Sequence, residues 1–104
     1  MHRVLFAMYR KDGMSGDDFV AHYRDSHIPI TRRFPGLRQY DVWPVNGDDG
    51  PDAFAMMTFD SAADFEAILD TETFKEAMAD SEKLVGRTES YTVDHIAVVG
   101  PVEA

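Results

Sequence analysis

Ser15-Gly16-Asp17-Asp18-Phe19-Val20-Ala21-His22-Tyr23-Arg24-Asp25-Ser26-His27-Ile28-Pro29 is the stretch on which the fold turns. Ser15 with Asp18 three residues later is an N-cap with a short capping box, and it predicts a helix running to about Ser26. Phe19, Tyr23 and His27 recur every four residues and so share one stripe of that helix. Pro29 suits the first turn of a second short helical piece, which ends before Pro35-Gly36.

Working outward, His2 to Arg10 alternates Val4, Phe6 and Met8 with Leu5, Ala7 and Tyr9. Both sides are apolar, as in a strand buried on both faces. Leu37 to Val45 reads as a second strand and Ala53 to Phe59 as a third, separated by the turn-forming run Asn46-Gly47-Asp48-Asp49-Gly50-Pro51. Ser61 with Asp64 repeats the cap. Phe65, Ile68 and Leu69 begin a second helical stripe, interrupted near Thr71 and resumed through Phe74, Ala77 and Met78. A last strand is expected from about Tyr91 to Val99, before Gly100-Pro101, with His95 buried in it. The order β-α-β-β-α-β predicts an α+β, ferredoxin-like domain over residues 1–104: a four-stranded antiparallel sheet with both helices on one face. Strands apolar on both sides leave the other face in need of a cover. A second copy packed sheet to sheet is the expected one, giving a homodimer.

Composition bounds the function. The chain has 104 residues, a net charge of −9 and no cysteine. Thiol chemistry, disulfides and zinc ribbons are excluded by that absence. A surface this acidic makes nucleic acid and anionic membrane poor partners. No apolar run approaches the ~20 residues of a membrane span, and the start lacks a signal peptide's layout, so the expected location is cytoplasmic. From His22 to Tyr40, however, Arg24, Arg32, Arg33 and Arg38 face Asp25 alone, a local net of +3. These are either solvated arginines or a field that draws a small anionic ligand to this segment.

His27 at the helix end either caps the last carbonyls or moves protons near neutral pH. Tyr40 either contributes its ring to the core or donates from its phenol to a carbonyl or enolate. Tyr23 reads as core or cleft wall, and Trp43 as strand packing or the mouth of a pocket. His22 is expected to be exposed. On an α-helix it stands about 140° from His27, which rules out joint metal ligation. No metal or cofactor motif occurs, and none is expected.

The run Phe19 to Pro29, followed by Phe34-Pro35-Gly36-Leu37-Arg38-Gln39-Tyr40, resembles the EthD family: a helix ending in His-x-Pro, then Pro-Gly-Leu and a strand tyrosine. The resemblance spans essentially the whole chain and implies a dimeric α/β barrel with a cleft between sheet and helices. It implies His27 and Tyr40 as a catalytic pair; the stripe, the strand position and the local charge make Tyr23, Trp43 and Arg38 the candidate ligand-binding residues. It also implies a cofactor-free isomerase or lyase acting on a small carbonyl, lactone or phenolic metabolite. The alternatives are a non-catalytic binder of small hydrophobic ligands and a monooxygenase, haem-dependent or cofactor-free, of the same barrel group.

Overall fold

A computed structural model describes residues 1–100. Four strands, β1 (His2–Arg10), β2 (Gln39–Pro44), β3 (Ala53–Phe59) and β4 (Val85–Val93), form one sheet in the order β2-β3-β1-β4. Every neighbouring pair is antiparallel. The first crossover holds α1 (Gly16–His22), a π-helical segment (Tyr23–His27) and α2 (Ile28–Thr31). The second holds α3 (Ala62–Ala67), a 3-10 turn (Ile68–Asp70) and α4 (Glu72–Ser81). This is the ferredoxin-like arrangement that the element order predicts.

The caps form as the sequence suggests. Ser15 Oγ accepts from the Asp18 amide at 3.1 Å, and Ser61 Oγ accepts from the Asp64 amide at 3.2 Å. Thr71, where the second stripe breaks, caps α4 by accepting from the Phe74 amide at 3.1 Å. Helix N-termini leave amides without intrahelical partners, and these hydroxyls satisfy them.

Register sets which side chains meet the helices. Val4, Phe6 and Met8 stand opposite Met57, Ala55 and Ala53, so all six point to the helical side. There they build two clusters. One joins Met8, Ala53 and Ala55 to Phe19, Tyr23 and Leu84, and the other joins Met57 and Phe59 to Phe34, Ile68 and Ala77. The opposite face carries no helix. Leu5 and Met56 pair across its centre, flanked by Trp43 at 48% and Tyr91 at 51% exposure.

The last strand departs from expectation. It runs from Val85 to Val93, not from Tyr91 to Val99, and His95 lies beyond it, exposed. β4 is an edge strand, and Thr88, Ser90 and Thr92 alternate along the side that would otherwise meet a core. Edge strands are free to be polar, so hydrophobicity points to the wrong segment. Gly86 marks the true start, since a Cβ there would sit 3.1 Å from the Arg10 carbonyl oxygen. Pro101, the expected terminator, lies outside the described residues.

Leu84, which leads from α4 into β4, is fully buried. Leu84→Ala is expected to cost roughly 2–5 kcal/mol in urea unfolding. A cost below about 1 kcal/mol would contradict its place in the core.

Candidate functional site

The first crossover decides where the histidines point. Tyr23–His27 winds as a π-helix, with the Ile28 amide bonding the Tyr23 carbonyl five residues back. In this winding a five-residue step closes one hydrogen-bonded turn, so His22 and His27 come to the same side. The α-helical expectation of about 140° between them does not hold. His22, expected to be exposed, is half-buried.

Both histidines meet Asp80, on α4. His22 Nε2 lies 3.0 Å from Oδ1, and His27 Nδ1 lies 3.0 Å from Oδ2. Ser26 Oγ donates to Oδ1 at 2.8 Å. Asp80 is only 4% exposed, so its charge persists only because these donors surround it. Burial pushes its pKa up, but the bonds from Ser26, His22 and His27 outweigh that and hold it below the ordinary 3.8. An ionised carboxylate only accepts, so His27 Nδ1 carries a proton and donates. Burial also lowers the His27 pKa below its ordinary 6.5, against the opposing pull of Asp80, so the ring is neutral at pH 7. Its free lone pair is therefore on Nε2. No buried side-chain nitrogen or oxygen among the described residues lacks a partner, so Nε2 is reachable from the space beside it.

That space is a cavity of about 220 Å³ between sheet and helices. Phe6, Met57, Phe65, Ile68 and Phe74 supply apolar walls, and His27, Tyr23 and Thr31 supply polar groups. It reaches the surface past Leu69 and Met78, which line it and are 43% and 47% exposed. Behind it runs a chain of hydroxyls. Thr31 Oγ1 donates to Tyr40 Oη at 2.9 Å, and Tyr40 Oη lies 3.3 Å from Tyr23 Oη. Burial raises both phenol pKa values, so both tyrosines are protonated donors at neutral pH.

The residues singled out from sequence thus separate. His27 and Tyr23 face the cavity together, with ring centroids 5.0 Å apart. Tyr40 stands one hydroxyl behind Tyr23. Trp43 projects from the sheet face opposite the helices, because its register partner is Phe54 and not an inward residue. Arg38 is exposed, its guanidinium 3.6 Å from Asp60, beside a surface hollow that Tyr40 also lines. Asp80 and Ser26 join the site without belonging to any motif. The available signal is that Asp80 lies three residues beyond Ala77 on the buried stripe of α4, where an acid needs partners. Among the described residues no group of three or more His, Asp or Glu side chains is arranged so that it could hold a metal ion, the His22, His27 and Asp80 cluster included.

The shifts make stability pH-dependent in one direction. Below 6.5 the unfolded chain takes up a proton that folded His27 refuses. Stability from this site is therefore complete above 6.5 and falls as pH drops toward the folded pKa. Asp80 continues the trend: its contribution is present above 3.8 and is lost as pH falls toward its own lowered pKa. Between about pH 7.5 and about 5.5, wild type should lose more unfolding free energy than His27→Gln. Equal losses, or a His27 ring titrating above 6.5 by NMR, would refute the assignment.

Comparison with known proteins agrees with this architecture. Residues 11–88 match the family model for the EthD domain. Among solved structures, an EthD family protein from Bacillus halodurans is similar at 24% identity and a TM-score of 0.77, covering 92% of this chain and all of that one. A dimeric protein of unknown function and ferredoxin-like fold from Bacteroides fragilis is similar at 8% identity and a TM-score of 0.72, with 90% and 95% of the two chains covered. An antibiotic biosynthesis monooxygenase is similar at 19% identity and a TM-score of 0.67, with 92% and 99% covered. These likenesses carry the fold alone. No curated protein matches the chain. With three quarters of its length under the domain model and the fold in agreement, the chain belongs to the EthD family.

Proposed function

We propose that this protein is a small cofactor-independent enzyme, of the isomerase or lyase type, in which His27 moves a proton on a carbonyl, lactone or phenolic compound. The observation that carries the reading is the grip of Asp80 on His27 Nδ1, which leaves Nε2 free beside an apolar cavity. A carboxylate in this position fixes the imidazole tautomer and stabilises the imidazolium that forms. In the proposed step, Nε2 takes a proton from carbon next to the substrate carbonyl. The Tyr23 hydroxyl donates to the carbonyl oxygen as enolate charge builds. Thr31 donates to Tyr40, and either phenol can donate across the Tyr23–Tyr40 contact; with Tyr40 as donor the Tyr23 O–H is free for the substrate. Tyr40 is then a positioning residue. The imidazolium returns its proton to another carbon, or to a leaving group, and the cycle closes without net proton change.

Size and charge narrow the substrate. A dry cavity of ~150 Å³ holds benzene, so about 220 Å³ admits one ring with substituents. Arg24, Arg33 and Arg38 pair with Asp25, Glu76 and Asp60, so the arginines of the His22–Tyr40 segment add little pull on an anionic group, and the apolar walls favour a neutral ring. We place the protein in the cytoplasm. No helix among the described residues is long and apolar enough to cross a membrane.

Deuterium uptake from D2O into a panel of single-ring ketones, lactones and phenols, followed by NMR, tests the chemistry whatever the final product. His27→Gln and Asp80→Asn should each slow exchange of the responsive compound about 10²–10⁴-fold. Unchanged exchange in His27→Gln would remove the proposed base. Tight binding of the panel that is indifferent to this change, with no exchange in wild type, would mark a carrier and not a catalyst.

We further propose that a second copy covers the open sheet face. Trp43 and Tyr91 are half exposed there, and Leu5, Phe54 and Met56 lie between their strands. The dimeric ferredoxin-like relative supports this. Trp43→Asp should shift the protein toward monomer in sedimentation equilibrium while its circular dichroism is unchanged. A monomeric wild type would refute the pairing.

A further inference from the structure

A second apolar cavity, of about 130 Å³, lies on the β2 side of the first crossover, between Phe19, Val20, Ile28, Val42 and Ala53. Tyr23 lines this rear cavity and also the larger one that holds His27, and it is the residue common to both. Tyr23 is buried in the cluster of the first crossover, and its hydroxyl makes one long side-chain hydrogen bond. The hydroxyl meets Tyr40 at 3.3 Å, beyond the usual O–H···O range of about 2.5–3.0 Å. Its ring touches Phe19 and His27 at centroid distances of 5.9 and 5.0 Å, contacts that tolerate tilting.

We propose that Tyr23 is a partition that sets the length of the ligand. A ring occupies the front cavity beside His27, and a straight alkyl tail enters the rear cavity only when Tyr23 turns aside. The ligand class is thus a single ring bearing an unbranched apolar chain, because the rear walls are apolar on every side except the exposed rim at Arg24. This inference rests on the front cavity being the reaction site. It concerns occupancy and not chemistry, so the two are measured separately.

The test is equilibrium binding of a 4-alkylphenol series by calorimetry, in wild type and in His27→Gln, so that absent catalysis leaves the measurement intact. In wild type, affinity should rise about fourfold per methylene until the front cavity fills, and then break. Tyr23→Leu should move the break to longer chains. Adding Val20→Phe, which fills the rear cavity from α1, should restore it. If Tyr23→Leu lacks the native circular dichroism, Tyr23→Phe keeps the ring and loses the hydroxyl, with its Tyr40 bond and its proposed bond to the ligand oxygen. The affinity of chains past the break relative to chains short of it should then rise about fivefold over wild type, the lost ligand bond cancelling in the ratio. The same break in wild type and the Tyr23 variant, no restoration by Val20→Phe, or a series that binds neither protein would overturn the proposal.

Discussion

A single buried carboxylate organises this molecule. Asp80 sits on α4 in the second crossover, while its three donors, His22, Ser26 and His27, come from the first. An isolated charge at that depth would cost several kcal/mol, so the two helical units are held together through it as well as through apolar contact. The π-helical winding belongs to the same constraint. Only a five-residue turn brings residues 22 and 27 to one side, and only that arrangement lets each carboxylate oxygen meet a histidine. The tautomer of His27 and the direction of its free lone pair follow from this grip, while burial, working against the pull of Asp80, lowers its pKa.

The cavity beside His27 is a second constraint, working against the first. A fully dry void of about 220 Å³ would cost on the order of 5 kcal/mol at the usual ~24 cal/mol per Å³. That is an upper bound, because the space reaches solvent past Leu69 and Met78. Still, small domains have only about 5–15 kcal/mol of net stability. A space kept at that cost, walled with phenylalanines and met by a neutral imidazole, has the concave, mostly apolar form common to small-molecule sites. Tyr23 stands where the constraints meet: it belongs to the apolar cluster of the first crossover, contacts His27, and ends in the hydroxyl chain to Tyr40 and Thr31.

Much of the scaffold is legible in the sequence because its signals are local. β1 and β3 each carry six apolar residues spread over both faces, and Ser15 and Ser61 announce helix starts within three residues of the amides they cap. β4 escapes such a reading because an edge strand need not be apolar, while Ile96, Val98 and Val99 look like a strand and are more than 80% exposed. Of the candidate site, His27 and Tyr23 are legible as one stripe, and that stripe does face the cavity.

The sequence by itself determined the element order, the helical caps, the sheet's two-sided apolarity and the stretch that carries the histidine. These depend on spacing of two to four residues and on propensities that act within a turn or a strand. Only the tertiary structure decided that His27 is held by Asp80, that His22 shares the same carboxylate, and that Tyr40 stands behind Tyr23. The two histidine contacts join residues 53 and 58 positions apart in the chain, through a helical winding that no local period announces. A buried charge selects its partners by what the packed fold brings within 3.0 Å, and that is not written in any one segment.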